Sequence, residues 1–231
     1  MPKVKTNRSF KELHRQIHAL LAEERRQNKV TYNEKIPYQR YDRIGFEGLR
    51  WTPEKRILGY GIDRYAVPGG TALDIGCNSG FLAIELAYAH EMRKVYGIEP
   101  NSWLVRVADL VADHLGVKEK TRFVDCCFKD FKVRMKFDLV LSLAAFYTQD
   151  GREREEAEVY FKRCFDLSKK GGYIVYESTS FNEVKKGPQR RSAKQAVAAL
   201  DKFFEKKEHL IKPSGSPGWF REYFIGRKKR K

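Results

Sequence analysis

Leu73-Asp74-Ile75-Gly76-Cys77-Asn78-Ser79-Gly80-Phe81 decides how this chain is read. Residues 72–75 form a short apolar run and Phe81 opens an amphipathic stretch that lasts to His90, so two glycines stand between a strand and a helix. A strand that feeds a helix this way needs a backbone that turns sharply. The missing Cβ atoms of Gly76 and Gly80 also let a ligand approach it closely. Behind them the helix N-terminus adds N–H donors and the positive end of a dipole. Asn78 stands where GxGxxG has its second glycine, and no Gly-Lys-Ser/Thr follows. Neither a nicotinamide fingerprint nor a P-loop is present.

Downstream the alternation continues. Residues 95–98, 121–124, 137–143 and 173–177 read as strands, and 103–115 and 154–168 as helices, the grammar of a parallel α/β sheet with helices on both faces. Gly171-Gly172 reads as the break between a helix and the fifth strand. A helix is expected at 192–206, followed by a hairpin of 208–212 and 219–226 around the turn-rich 213–218. Upstream, 9–28 reads as a helix with Ser9 and Glu12 as a capping box and Phe10, Leu13, Ile17, Leu20 and Leu21 on one face. A second helix is expected from Thr52, with Pro53 at its first position. The chain thus divides into a basic helical and aromatic extension, 1–56, and an α/β domain, 57–231.

The 231 residues carry 46 Lys+Arg against 30 Asp+Glu, a net charge of +16. Residues 1–56 hold 14 basic and 7 acidic side chains, 57–181 hold 17 and 18, and 182–231 hold 15 and 5. Nearly all the surplus lies in the flanks, and clustered Lys/Arg binds a polyanion by releasing counterions. Nucleic acid is therefore the expected partner, set against flanks that only keep the chain soluble. Residues 29–51 interleave Tyr32, Tyr38, Tyr41, Phe46 and Trp51 with Arg40, Arg43 and Arg50. This suits either a surface for unpaired bases or an arm packed with its aromatics inward. Arg227-Lys-Lys-Arg-Lys231 reads as a phosphate-binding tail, or as a nuclear address in a eukaryotic host.

No apolar run is long enough to span a bilayer, the first eight residues lack the apolar core of a signal peptide, and four cysteines form no CxxC. A reduced, cytoplasmic protein without a membrane partner is expected. His14 and His18 lie one helical turn apart with no third ligand nearby, so no metal is expected. Cys126-Cys127 reads as small buried packing rather than a reactive pair.

Glu99 closes the second strand in Tyr96-Gly97-Ile98-Glu99-Pro100-Asn101, 19 residues after Gly80. A carboxylate there accepts hydrogen bonds from both hydroxyls of a ribose. Asp74-x-Gly76-x-x-x-Gly80 with Glu99 resembles the class I S-adenosylmethionine-dependent methyltransferases, over residues 71–178. The resemblance implies a seven-stranded, mostly parallel Rossmann-like sheet whose last strand is antiparallel, and S-adenosyl-L-methionine as cofactor. It places Asp74 and the loop residues Gly76, Cys77, Asn78 and Gly80 beside the methionine moiety, Glu99 on the ribose, and Leu143 after strand four along the cofactor. Many members carry an aspartate after strand three that touches the adenine amino group. Here Cys127 takes that position, so backbone N–H groups and Phe128, or else Asp125, play the part. Ser142-Leu-Ala-Ala-Phe-Tyr147 and Tyr176-Glu-Ser178 are similar to the bacterial tRNA wobble-uridine carboxymethyl- and methyltransferases. That likeness implies that Trp51, Arg56 and Tyr147 help hold the cofactor.

Elimination narrows the acceptor. No Asn/Asp-Pro-Pro-Tyr/Phe follows strand four, no cysteine stands there for a covalent pyrimidine adduct, and no Lys-Asp-Lys-Glu tetrad is evident. An oxygen or nitrogen acceptor activated mainly by position remains, with Tyr147 and Glu177 as catalytic candidates and Arg221 beside them. The expected function is in-line methyl transfer to RNA, tRNA or rRNA. A small-molecule or protein methyltransferase and a non-catalytic nucleic-acid-binding module are the alternatives.

Overall fold

The computed structural model describes residues 7–28, 31, 33, 35–148, 155–182, 187–214 and 217–230. Its strands are β1 (Thr71–Ile75), β2 (Lys94–Ile98), β3 (Thr121–Val124), β4 (Phe137–Leu143), β5 (Ser168–Glu177), β6 (Phe181–Asn182), β7 (Phe204–Pro213) and β8 (Trp219–Lys228). They form one sheet in the order β3-β2-β1-β4-β5-β8, with β6 and β7 both paired to β8. The first five strands are parallel, and β8 is antiparallel to β5, β6 and β7. The sheet has eight strands, not the expected seven. The extra one is the two-residue β6, whose Phe181 and Asn182 pair with Phe220 and Trp219 beyond the point where β5 ends.

The helices are α1 (Asn7–Gln27), α2 (Pro53–Gly59), α3 (Phe81–Tyr88), α4 (Ser102–His114), α5 (Ala145–Thr148), α6 (Ala157–Leu167) and α7 (Pro188–Phe203). Successive strand residues point to opposite faces, so β1 sends Ala72 into one core cluster and Leu73 and Ile75 into the other. Ile17 and Leu21 of α1, Phe81 and Leu86 of α3 and Val107 and Val111 of α4 fill the first cluster. Phe161 and Cys164 of α6 and Leu200 of α7 fill the second. No helix among the described residues is long and apolar enough to cross a membrane.

Three local readings change. The helix α1 starts at Asn7, which puts Ser9 inside its first turn instead of at the cap. Gly171 and Gly172 lie within β5, which begins at Ser168. Gly171 has φ +74°, and the β4–β5 register shifts between Phe137 and Leu139, so the glycines relieve an irregular strand rather than end a helix. The tail is partly built into the fold. Lys228 Nζ donates to the carbonyls of Phe165 and Ser168, and Lys229 Nζ to those of Asp201 and Lys202, which are the C-terminal ends of α6 and α7. Tyr32, residues 149–154 and Lys231 lie outside the described residues.

The segment between α1 and α2, described at 31, 33 and 35–52, packs part of the stretch 29–51 against the fold. Tyr41, Ile44 and Phe46 are buried, and Tyr41 and Phe46 pair in a short antiparallel bridge. Glu85 on α3, 2% exposed, anchors them: it accepts the Tyr41 hydroxyl at 2.8 Å and a two-pronged ion pair from Arg43 at 2.7 and 2.5 Å. Burial, reinforced by the Glu85 charge, pushes the Tyr41 phenol up. His14 Nε2 bonds the Ile44 carbonyl, and both His14 and His18 pack against Phe46. Arg50 and Trp51 stay exposed. The arm is packed with part of its aromatics inward and its last turn outward.

Candidate active site

The β1–α3 turn forms the floor of a cleft of about 950 Å³ above the C-terminal ends of the parallel strands. This is where an open α/β sheet leaves a crevice, because β1 connects towards β2 on one side and pairs β4 on the other. Gly76, at φ +69°, is exposed on this floor, and the Gly76 and Cys77 N–H groups both donate to the Ile98 carbonyl at 2.9 and 3.0 Å. Gly80 plays another part and does not line the cleft. A Cβ there would stand 2.5 Å from Ala108 Cβ and 2.6 Å from the Phe123 ring, so this glycine lets α3, α4 and β3 pack closely.

Glu99 is 5% exposed at the end of β2. Its Oε2 accepts the Asn78 N–H and its Oε1 the Asn101 N–H, both at 3.0 Å. The carboxylate is therefore fixed in place with both oxygens turned to one edge of the cleft. Asp74, at the end of β1, is buried, and desolvation pushes its carboxyl up to about 7 while the Arg56 charge pulls the other way. Cys77 is buried beside both acids, and burial followed by their charges raises its thiol. It is a packing residue and not a nucleophile. Cys126, Cys127, Phe128, Leu143 and Tyr147 complete this half of the lining. Cys126 and Cys127 are half-buried, and burial raises the Cys126 thiol. Asp125 does not line the cleft.

The other half is a charge cluster around Glu177, which is fully buried at the end of β5. Its Oε1 accepts from Arg221 Nη1 at 2.7 Å, the Tyr60 hydroxyl at 2.9 Å and the Tyr223 hydroxyl at 3.0 Å. Arg56 Nη2 lies 3.7 Å from Oε2, and the Arg56 guanidinium stacks over Tyr60. Arg221 Nε also donates to Ser180 Oγ. Trp51, 65% exposed, stands at the mouth of the cleft with the exposed cations Arg50 and Lys129.

Every sequence-predicted site residue except Gly80 and the alternative Asp125 thus lines one cavity. Sequence reasoning missed Tyr60 and Tyr223, which share Glu177, and the arm residues Asn33, Tyr38 and Gln39, which close one side of the cleft. The spacing of Arg56 and Tyr60, one helical turn apart, was a signal for the first. The others reach the site across separations that leave no periodic trace.

Comparison with known proteins agrees with this geometry. The N-methyltransferase NodS from Bradyrhizobium japonicum, solved with S-adenosyl-L-homocysteine, superposes with a TM-score of 0.59 at 15% identity, covering 94% of this chain and 99% of that one. A methyltransferase from Pyrococcus furiosus gives 0.58 at 17% identity, with 92% and 98% covered. The tRNA m1G37 methyltransferase of M. jannaschii gives 0.54 at 16%, covering 79% of this chain and 50% of that one. At these identities the likeness establishes the fold. A search of curated protein sequences gives no match. The family pattern described as "Methyltransferase domain" matches residues 66–216, well over half of the sequence. With its Gly76 turn, buried Glu99 and mixed eight-stranded sheet, the chain belongs to that family, as a class I S-adenosylmethionine-dependent methyltransferase.

Proposed function

We propose that this enzyme methylates RNA, with the cofactor held at the Asp74–Glu99 end of the cleft and the acceptor at the Glu177 end. The observation that carries the reading is the two-ended cleft: one half offers an acidic, glycine-floored cradle and the other a buried Arg–Glu–Arg cluster. The residues fit S-adenosyl-L-methionine. Glu99, held by the Asn78 and Asn101 N–H groups, is a carboxylate acceptor of the kind that ribose hydroxyls bind. Asp74 faces the cleft as a partner for an ammonium, and Arg56 as a partner for a carboxylate. Leu143, Cys127 and Phe128 offer the flat apolar wall a purine needs. When bound, the cofactor supplies an electrophilic methyl on a sulfonium.

The chain's own work is to orient the acceptor in line and to exclude water. Glu177 is suited to hold a donor group of the acceptor, because three hydrogen bonds and two arginines keep its carboxylate in one place. Tyr147 lies on the same lining. Arg50 and Lys129 at the rim, with the basic flanks, are placed to meet phosphates, and exposed Trp51 to meet a base. A small free acceptor is the second reading, favoured because Lys228 and Lys229 spend their charge on helix ends. Salt separates the two. RNA affinity is expected to fall steeply between low and physiological salt, with the log–log slope reduced by about 1 for each of Arg50 and Lys129 changed to Ser. A flat salt response eliminates the RNA reading.

Two further results are expected at the cofactor end. Glu99→Ala weakens S-adenosylhomocysteine by roughly 1–3 kcal/mol, the cost of losing charge-assisted ribose bonds, measured by calorimetry. Asp74 makes the same affinity pH-dependent. With its carboxyl near 7 in the free protein, ammonium binding must expel a proton at lower pH. The affinity therefore drops about tenfold per unit below that value and levels off above it. In the free protein the raised carboxyl acts the other way, and stability falls as pH rises from about 4 through 7. Asp74→Asn flattens both profiles.

A further inference from the structure

Among the described residues, four buried polar atoms on the cleft lining have no hydrogen-bond partner: Asn33 Nδ2, Gln39 Oε1, Glu177 Oε2 and Thr179 Oγ1. The cofactor reading uses none of them. Buried polar groups are almost always paired, so four on one cavity mark places that a ligand fills. Two come from the arm and two from the end of β5, and Tyr38 and Arg221 link the two sides. Asn33 Oδ1 accepts the Tyr38 N–H at 2.9 Å, Tyr38 lies within electrostatic range of Arg221, and Arg221 holds Glu177. Asn33 is 1% exposed and Glu177 fully buried, so both are preset rather than adaptable.

Their chemistry is specific. The Tyr38 N–H fixes the Asn33 amide with Oδ1 towards it, which leaves Nδ2 as a pure donor. Glu177 Oε2, in a carboxylate held by two arginines and two tyrosines, is a pure acceptor. Gln39 Oε1 is a second acceptor, and the Thr179 hydroxyl plays either part. A ligand that satisfies all of them presents two N–H donors and one acceptor. Guanine does so on its Watson–Crick edge, with N1–H and the N2 amino group beside O6. Adenine and cytosine would set a ring-nitrogen lone pair against these acceptors, and uracil has two carbonyls and a single N–H.

We propose that the Glu177 half of the cleft, roofed by the arm, is an acceptor subsite that seats a guanine base by that edge. This rests on the methyltransferase reading and names its substrate class. The claim concerns recognition of the base, whichever of its atoms receives the methyl. The shared chemistry has two sources, a free guanine nucleoside or a guanine unstacked from RNA.

The test incubates the full chain with methyl-labelled S-adenosylmethionine and either the four free nucleosides or total RNA from an unrelated cell, which is then digested to nucleosides. Label is expected in guanosine derivatives alone. Label from the free nucleosides identifies the base itself as substrate, and label from RNA only identifies a polymer context. Asn33→Asp keeps the bond to Tyr38 but exchanges the free donor for an acceptor. It is expected to raise KM for the guanine acceptor at least tenfold. Affinity for S-adenosylhomocysteine stays as in the parent, a split between acceptor KM and cofactor binding that a general loss of structure would not give. Label in adenosine, cytidine or uridine derivatives, or in no nucleoside while S-adenosylhomocysteine binds, overturns the subsite. Failure to bind S-adenosylhomocysteine overturns the methyltransferase placement beneath it instead.

Discussion

Gly76→Val is expected to remove cofactor binding, lowering the affinity for S-adenosylhomocysteine roughly 100-fold or more in calorimetry. Two effects add. Gly76 sits at φ +69°, a region that a β-branched residue almost never occupies, and the left-handed conformation alone costs about 1–2 kcal/mol for a residue with a Cβ. An ideal Cβ would also lie 3.0 Å from Ala145 Cβ, so the turn or α5 has to move by a few tenths of an ångström. Relief comes by shifting the turn, which disturbs the Gly76 and Cys77 N–H bonds to Ile98 and the Asn78 N–H that orients Glu99. The valine side chain further fills the exposed floor of the cleft. Gly76→Ala isolates the conformational part and is expected to lose about tenfold. Unchanged affinity in the valine variant would show that the loop does not carry the cofactor.

Glu85→Ala is the second large expected effect, on stability instead of binding. The substitution leaves the Tyr41 hydroxyl and the Arg43 guanidinium without the carboxylate that both use, in a site where Glu85 is 2% exposed. Removing one partner of a fully buried ion pair costs roughly 3–5 kcal/mol. Arg43 is 28% exposed and regains some water, so the loss is expected at about 3 kcal/mol, with the buried Tyr41 hydroxyl left without its acceptor. Denaturant unfolding followed by circular dichroism reads the loss. Because this pair ties the arm to α3, protease cleavage near residues 35–50 is expected to accelerate in the same variant. Glu85→Gln, which keeps the shape and one acceptor, falls between the two. A loss below about 1 kcal/mol would mean that the arm is held by Ile44 and Phe46 packing and not by the ion pair.

How much of this was legible beforehand varied with the range of the interaction. The strands β1 to β4 and the helices α3 and α4 were found within a residue or two, because their apolar periods and the Gly76–Gly80 turn are local signals. Glu99 was placed on the cleft by its spacing from that turn. Gly171 and Gly172 misled, since a glycine pair marks a helix end and an irregular strand equally well. The count of strands missed β6, whose two residues carry no period at all. The basic tail read as one kind of surface, whereas Lys228 and Lys229 are occupied by carbonyls at helix ends 27 to 63 residues away in sequence.

By itself the sequence determined the parallel strands β1 to β4, the Gly76 turn between β1 and α3 and the place of Glu99 at the end of β2, all products of neighbours close along the chain. Only the tertiary structure decided that the N-terminal arm forms a wall of the cleft. It also showed that Glu177 shares one oxygen among Tyr60, Arg221 and Tyr223 while the other faces Arg56 at 3.7 Å without a hydrogen bond. The reason is physical. A hydrogen bond between residues 117 positions apart depends on where two elements land after packing, and neither end carries a mark of its partner in the sequence. Even the net charge of +16 changed meaning in this way: two of the tail lysines that contribute to it, Lys228 and Lys229, are bound to the carbonyls that end α6 and α7.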